Sequence, residues 1–219
     1  MIPSDDEGRP TRSPDDDRLM QISRGTLAHY DERAEAFWAG TRDHDVRQNI
    51  DALLSRIEGA PPFSILDFGC GPGRDLRTLT VLGHVAVGVE GAANFVAMAR
   101  EYSGCEVWQQ DFLRLALPGA RFDGVFANAS LFHVPSAALP RVLGELRATL
   151  KPRGVLFASN PHGDGDEGWN RGRYGAWHTP QAWSAYVTAA GFTLLDEYFR
   201  PAGRPRAEQP WLATVWRRT

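Results

Sequence analysis

Residues 65–75 read ILDFGCGPGRD, an apolar strand that runs into a glycine-rich turn and then into a helix. Glycines in such a turn let backbone N–H groups approach a ligand and leave the helix N-terminus facing it. A dinucleotide fingerprint would place its third glycine at position 74, where this chain has Arg74. The spacing is instead G-x-G-x-G, through Gly69, Gly71 and Gly73. Asp67, before the turn, suits a cationic ligand better than a pyrophosphate.

Short apolar runs and helical patterns alternate on both sides of this turn. This alternation predicts an α/β protein with a doubly wound parallel sheet, whose ligands bind at the carboxyl ends of the strands. The pattern predicts strands at 65–68, 85–89, 106–109, 124–127, 154–159, 193–199 and 212–216. It predicts helices from about 75, and at 92–100, 137–150 and 181–190.

Acidic side chains follow the next two strands and indicate one composite site. Glu90 ends the second strand, where a carboxylate can accept hydrogen bonds from both hydroxyls of a ribose. Asp111 and Phe112 follow the third strand and offer an acceptor for an adenine amino group and a wall for its ring. We therefore expect an adenosine-type ligand at this edge of the sheet.

Composition excludes several function classes. The chain has 219 residues, 24 Lys and Arg against 27 Asp and Glu, and a formal charge of -3. Without a basic excess, neither nucleic acid nor an anionic membrane is an expected partner. The apolar runs are shorter than the roughly 20 residues of a membrane span, so we expect a cytoplasmic protein. Cys70 and Cys105 form no C-x-x-C pair, and both are expected to be free thiols.

The chain divides into a tail and one domain. Residues 1–22 are acidic and poor in apolar side chains, which predicts a disordered tail. Residues 23–219 form a single predicted domain, in which 23–60 contribute a cap of two helices before the first strand. Residues 160–178 have aromatics and arginines among glycines, and this long connection predicts a lid loop over the substrate.

Together these motifs resemble the class I S-adenosylmethionine-dependent methyltransferases, from about Tyr30 to the C-terminus. The resemblance implies a Rossmann-like seven-stranded sheet with six parallel strands and one antiparallel strand. It also implies S-adenosylmethionine as cofactor and S-adenosylhomocysteine as product. The cofactor-binding candidates are Tyr30, Asp67, Gly69, Gly71, Gly73, Glu90, Asp111, Phe112 and Asn128.

A closer resemblance is to the C-terminal methyltransferase domain of bifunctional ovothiol synthases. It rests on residues 43–45 (DHD), 102–108 (YSGCEVW), 126–135 (FANASLFHVP), 167–170 (EGWN) and 209–216 (QPWLATVW). It implies methylation of the imidazole π nitrogen of 5-thiohistidine to give ovothiol A. Because the chain is too short to include the iron-dependent synthase of that family, we expect a standalone methyltransferase with a separate sulfoxide synthase or lyase in its pathway.

The substrate-side candidates come from three segments outside the cofactor motifs. The catalytic or orienting candidates are His133, Asp45, Asn49 and Tyr174. The substrate-binding candidates are His44, Phe132, Asn160, Arg171 and Arg173. Either of these two arginines can bind a substrate carboxylate through two parallel hydrogen bonds. We predict no metal site.

Two alternatives remain open at this stage. The first is a methyltransferase for another small metabolite, because fold alone does not set the substrate. The second is a non-catalytic S-adenosylmethionine-binding module that supports a partner enzyme. Such modules usually lose the acids and glycines of the cofactor site, which this sequence keeps.

Overall fold

The computed structural model describes residues 14–219, which form an α/β domain. Its helices are α1 Pro14–Glu32, α2 Ala34–Thr41, α3 Arg47–Leu54, α4 Arg74–Val81, α5 Ala93–Ser103, α6 Leu139–Thr149 and α7 Pro180–Ala189. Its strands are β1 Ser64–Phe68, β2 Val85–Glu90, β3 Glu106–Gln109, β4 Phe122–Asn128, β5 Leu150–Pro161, β6 Asp166–Asn170, β7 Arg173–Trp177, β8 Phe192–Arg200 and β9 Trp211–Arg218. None of these helices is long and apolar enough to span a bilayer.

Seven strands form one sheet in the order β3-β2-β1-β4-β5-β9-β8. Strands β1 to β5 pair in parallel, and β9 runs antiparallel to both β5 and β8. Six strands therefore share one direction and β9 opposes them, which confirms the predicted fold class. Strands β6 and β7 form a separate two-stranded sheet.

The side chains of β1 point alternately into two apolar layers, one on each face of the sheet. Leu66 and Phe68 belong to the layer covered by α6 and α7, whereas Ile65 belongs to the layer covered by α3, α4 and α5. All three are fully buried. Helices on both faces leave the carboxyl edge of the parallel strands open, where ligands bind in such sheets.

The predicted tail and helical cap differ from the structure. Residues 14–22 of the predicted tail belong to α1, and residues 1–13 lie outside the described residues. Three helices, rather than two, precede β1. The acidic first turn of α1 matches the helix dipole, and Leu19 and Ile22 pack against the core. Because the segment contains few apolar residues, its sequence did not predict these contacts.

The predicted lid loop at 160–178 is also different, because most of it is a β-hairpin. Strands β6 and β7 pair in antiparallel register, with Asn170 opposite Arg173. The two-residue turn between them has φ values of 51° at Arg171 and 87° at Gly172. Two consecutive positive φ values are typical of the type I′ hairpin turn, which closes a tight connection between twisted strands. The movement of this hairpin as a lid stays a prediction.

Candidate active site

A cavity of about 630 Å³ opens at the carboxyl ends of the parallel strands. The loops after β1, β2, β3 and β4 form its floor, and α1, α2 and the α2–α3 loop cover it. The predicted site residues that line it are Tyr30, His44, Asp45, Gly69, Gly71, Glu90, Asp111, Phe112, Asn128, Phe132, His133 and Arg173. Most of the residues singled out in the sequence thus meet in one place.

The loop after β1 needs glycine at two positions. Gly69 has a φ of 79°, and a Cβ there would lie 2.4 Å from the Cβ of Ser130. Gly73 has a φ of 93°, and a Cβ there would lie 2.8 Å from the backbone Cα of Ala99 in α5. Gly73 does not line the cavity, so its role is to let α4 approach α5 closely.

The Glu90 carboxylate is hydrogen-bonded to the backbone of this loop and of the loop after β2. Its Oε2 accepts a hydrogen bond from the Gly71 backbone N–H at 3.0 Å, and its Oε1 accepts from Gly91 at 2.7 Å and Ala92 at 2.9 Å. Burial raises the pKa of Glu90, and the three backbone hydrogen bonds act in the opposite direction. Oε1 thus uses both of its lone pairs, whereas Oε2 retains one for a ligand hydroxyl. The sequence predicted the ligand contact but not this ordering of the loop.

Asp111 and Phe112 form the far wall at β3. The Asp111 Oδ1 accepts a hydrogen bond from the Leu113 backbone N–H at 2.8 Å. The Phe112 ring stacks on Phe68 with ring centroids 4.2 Å apart and an interplanar angle of 24°. Both side chains are thereby fixed in place, as a pocket for a flat ring requires.

Asp67 lies behind the glycine loop and does not line the cavity. It is 2% exposed, and its Oδ2 has no hydrogen-bond partner among the described residues. Burial, followed by repulsion from Asp75, raises the pKa of Asp67 well above its ordinary value. An unpaired buried carboxylate oxygen is an acceptor that an ammonium group of a ligand would satisfy.

Asn49 is placed differently from its predicted orienting role. It is fully buried, donates through Nδ2 to Asn128 Oδ1 at 2.9 Å, and accepts from the Tyr198 hydroxyl at 2.9 Å. Asn128 in turn donates to Asp75 at 3.2 Å, and Asp75 forms an ion pair with Arg74 at 2.7 Å. Asn49 therefore supports Asn128 from behind the cavity wall.

His133 lies between a tyrosine hydroxyl and a backbone carbonyl. Its Nδ1 is 2.6 Å from the Tyr174 carbonyl oxygen, and its Nε2 is 2.8 Å from the Tyr30 hydroxyl. A carbonyl can only accept, so Nδ1 carries the proton and Nε2 accepts from Tyr30. Burial lowers the pKa of His133 to about 4 and raises the pKa of Tyr30 to about 12. Both groups are neutral near pH 7.

Several substrate-side candidates lie away from the cavity. Tyr174 offers its carbonyl to His133, whereas its ring packs edge-on against Trp169 and its hydroxyl bonds Glu167. Arg171 is exposed in the hairpin turn, and Asn160 is buried in β5 outside the cavity lining. These positions do not support the direct substrate contacts predicted for them, because tertiary packing directs their side chains elsewhere.

Two cavity residues carry charge near the α2–α3 loop. Asp45 is mostly exposed and pairs with Arg47 at 2.8 Å, and the hydrogen bonds from Arg47 lower the pKa of Asp45 to about 2. Such a carboxylate is a weak proton acceptor. Arg200, at the end of β8, donates to the Asp45 backbone carbonyl at 3.2 Å. Sequence reasoning missed Arg200, which no motif marks, and it used Trp211 only within the string 209–216 and not as a site residue.

Comparison with known proteins agrees with this geometry. A family model described as a methyltransferase domain matches residues 65–154, which span β1 to the first part of β5. The 1,6-didemethyltoxoflavin-N1-methyltransferase of Burkholderia thailandensis, solved with its substrate and S-adenosylhomocysteine, superposes with a TM-score of 0.72. The alignment covers 97% of this chain and 93% of that chain at 24% identity. The fold is that of the class I methyltransferases.

Two further matches show the breadth of this fold. Trans-aconitate 2-methyltransferase of Azoarcus sp. is 32% identical over 140 residues, covering 63% of this chain. This chain spans about half of that relative, 53% of its length. The [4+2]-cyclase SpnF superposes with a TM-score of 0.72 at 18% identity, covering 90% of this chain and 96% of SpnF. The family model and the two methyltransferases agree with the predicted enzyme class, and the S-adenosylhomocysteine in the Burkholderia enzyme agrees with the predicted cofactor. None of the three proteins is named as an ovothiol enzyme.

Proposed function

We propose that this protein is an S-adenosylmethionine-dependent methyltransferase that acts on a small molecule. The observation that carries the proposal is the Glu90 carboxylate, which lines the cavity and accepts hydrogen bonds from Gly71 in the glycine loop and from Gly91 and Ala92 in the loop after β2. A buried acid at this position is useful when a ligand presents hydroxyl donors to it. The family match over 65–154 supports the same conclusion.

The residues present fit the cofactor. Glu90 suits the ribose hydroxyls, and Asp111 with Phe112 suits the adenine. The unpartnered Oδ2 of Asp67 has the chemistry that a methionine ammonium group requires, although Asp67 lies behind the glycine loop and outside the cavity lining. The volume of about 630 Å³ falls within the range of small-molecule sites and leaves the side near Phe132 and Trp211 for a methyl acceptor.

The bound cofactor supplies an electrophilic methyl group, so the protein mainly aligns the acceptor and excludes water. Tyr30 is the cavity residue placed to handle a proton, because its hydroxyl already donates to His133 Nε2. A proton leaving the acceptor passes to the Tyr30 oxygen while the tyrosine proton moves to His133. The Tyr174 carbonyl holds the other side of the imidazole during this shift. His133 then acts through Tyr30.

The finer proposal for the acceptor is 5-thiohistidine, methylated on its imidazole π nitrogen to give ovothiol A. It is supported by the sequence resemblance to ovothiol synthase methyltransferase domains and by a cavity with aromatic walls and arginines. By their names, the relatives act on other small molecules, trans-aconitate and 1,6-didemethyltoxoflavin. A different small acceptor is therefore the first alternative.

The test is mass spectrometry of the purified protein incubated with S-adenosylmethionine and 5-thiohistidine, histidine or no acceptor. The proposal expects a gain of one methyl group on 5-thiohistidine that requires Glu90 and is at least about a hundredfold faster than on histidine. Transfer to another metabolite alone would replace the acceptor and keep the enzyme class. Cofactor binding without transfer to any acceptor in a metabolite extract would favour the non-catalytic module. The [4+2]-cyclase SpnF, by its name, shows that this fold is not confined to methyl transfer.

A further inference from the structure

The order of the strands divides the carboxyl edge into two halves. Glu90 ends β2 and Asp111 follows β3, whereas Arg200 ends β8 and Trp211 begins β9. Strand β8 lies five positions from β2 in the sheet, which is about 24 Å at a spacing of about 4.8 Å between strands. Glu90 and Asp111, the residues suited to an adenosine, thus lie in one half of the cavity, and Arg200 and Trp211 lie in the other.

Arg200 is a cavity-lining arginine that forms no ion pair with the described residues. Arg74 is neutralised by Asp75 through two hydrogen bonds of 2.7 and 3.0 Å. Arg173 lies over the Tyr30 ring, 5.8 Å from its centroid, and thus on the α1 side. Arg200 donates one hydrogen bond, to the Asp45 carbonyl, and its Nε is buried without a partner among residues 14–219.

The surroundings of Arg200 favour an anion with a flat apolar body. Trp211 and Phe132 line the same half of the cavity, with their rings edge-to-face at a centroid distance of 6.4 Å. Asp45 is an acidic residue lining this half, and its pairing with Arg47 offsets its charge. No acidic side chain in the described part of the chain lies within 4.0 Å of the Arg200 guanidinium.

We propose that Arg200 binds the carboxylate of the methyl acceptor, whose planar ring packs against the cavity-facing surface of Phe132 and Trp211. The inference rests on the proposed methyltransferase function and narrows the acceptor to small carboxylic acids that contain a planar ring. A guanidinium matches a carboxylate through two parallel hydrogen bonds, which lysine cannot reproduce. In this proposal the substrate carboxylate binds at the end of β8, and not at the hairpin arginines Arg171 and Arg173 that the sequence indicated.

The test compares acids with their own carboxamides as ligands of the S-adenosylhomocysteine-saturated protein. The probes are 5-thiohistidine, salicylate and anthranilate, each beside its amide, titrated by calorimetry into wild type, Arg200→Gln and Arg200→Lys. Arg204→Gln is the matched control, because Arg204 is an exposed arginine in the loop that follows β8. Arg173→Gln tests the competing arginine.

The proposal expects at least one acid to bind the wild type about tenfold or more tightly than its amide, through charge-assisted hydrogen bonds. Arg200→Gln should abolish this preference, Arg200→Lys should restore it in part, and Arg204→Gln should leave it unchanged. Equal affinities for acids and amides in the wild type, or a preference lost in Arg173→Gln and kept in Arg200→Gln, would overturn it. Failure of the wild type to bind S-adenosylhomocysteine would instead refute the proposed function, and the acids are then titrated into the ligand-free protein.

Discussion

At the residue scale, the chemistry of His133 follows from its two hydrogen-bond partners. The Tyr174 carbonyl fixes the proton on Nδ1, and the Tyr30 hydroxyl occupies Nε2. The sequence indicated His133 because it follows a strand that ends at the site, but it did not indicate these partners. They lie 41 and 103 residues away along the chain, and tertiary packing alone brings them together.

His133 makes the stability of the fold depend on pH. Burial lowers its pKa from 6.5 to about 4, so the unfolded chain takes up a proton at a higher pH than the folded chain does. The contribution of neutral, buried His133 to the free energy of unfolding is complete above pH 6.5. It is lost as the pH falls towards 4, by up to about 3 kcal/mol. Urea unfolding of wild type and His133→Gln at pH 7.5 and pH 5 measures it. The stability advantage of wild type should shrink by about 2 kcal/mol at pH 5, and a constant difference would contradict the assignment.

Tyr30 should affect the methyl-transfer step more than cofactor binding. Tyr30→Phe keeps the ring that packs against Phe37 and Phe95 but removes the hydroxyl bonded to His133. We expect kcat to fall at least about tenfold for an acceptor that loses a proton, with a smaller change in the Kd of S-adenosylhomocysteine. Tyr102→Phe, at a partly exposed ring, is the control. A large change in Kd with unaltered kcat would assign Tyr30 to the cofactor instead.

At the scale of elements, the strand–turn–helix at 65–75 could be predicted closely, whereas the hairpin could not. The first strand and its glycines have a local pattern, and the structure places β1 and α4 within one residue of the expected bounds. The hairpin depends on Arg171 in a positive-φ turn and on packing against α1, where the Tyr174 N–H donates to Thr26 at 3.0 Å. Arginine is not a residue type that signals such a turn.

The close approach of α4 and α5 gives a prediction at this scale. Gly73→Ala should destabilise the fold by more than about 2 kcal/mol, because a strained positive φ adds to a clash with the Ala99 backbone. Gly83→Ala is the matched control, since Gly83 has a φ of 87° and open space around it. We expect a loss of about 1 kcal/mol there. Equal losses in urea unfolding would mean that the helices separate easily.

For the whole molecule, the topology explains why residues far apart in sequence share one cavity. The carboxyl ends of the parallel strands and the start of β9 meet at one edge of the sheet, which α1 and α2 cover. The half proposed for the cofactor could be predicted because most of its residues lie at the end of a strand or just after one. The acceptor half could not, since Arg200 and Trp211 contribute through the pairing of β8 with β9.

Titration calorimetry of S-adenosylhomocysteine with wild type and Glu90→Ala tests whether the cavity binds the cofactor through Glu90. Glu101→Ala, on the exposed face of α5, is the control for a lost surface carboxylate. We expect one-to-one binding to wild type and to Glu101→Ala. The affinity of Glu90→Ala should fall at least about tenfold, because the substitution removes charge-assisted hydrogen bonds worth about 1.5–3 kcal/mol each. Absence of binding to wild type, or equal affinity in Glu90→Ala with its fold intact by circular dichroism, would contradict the account.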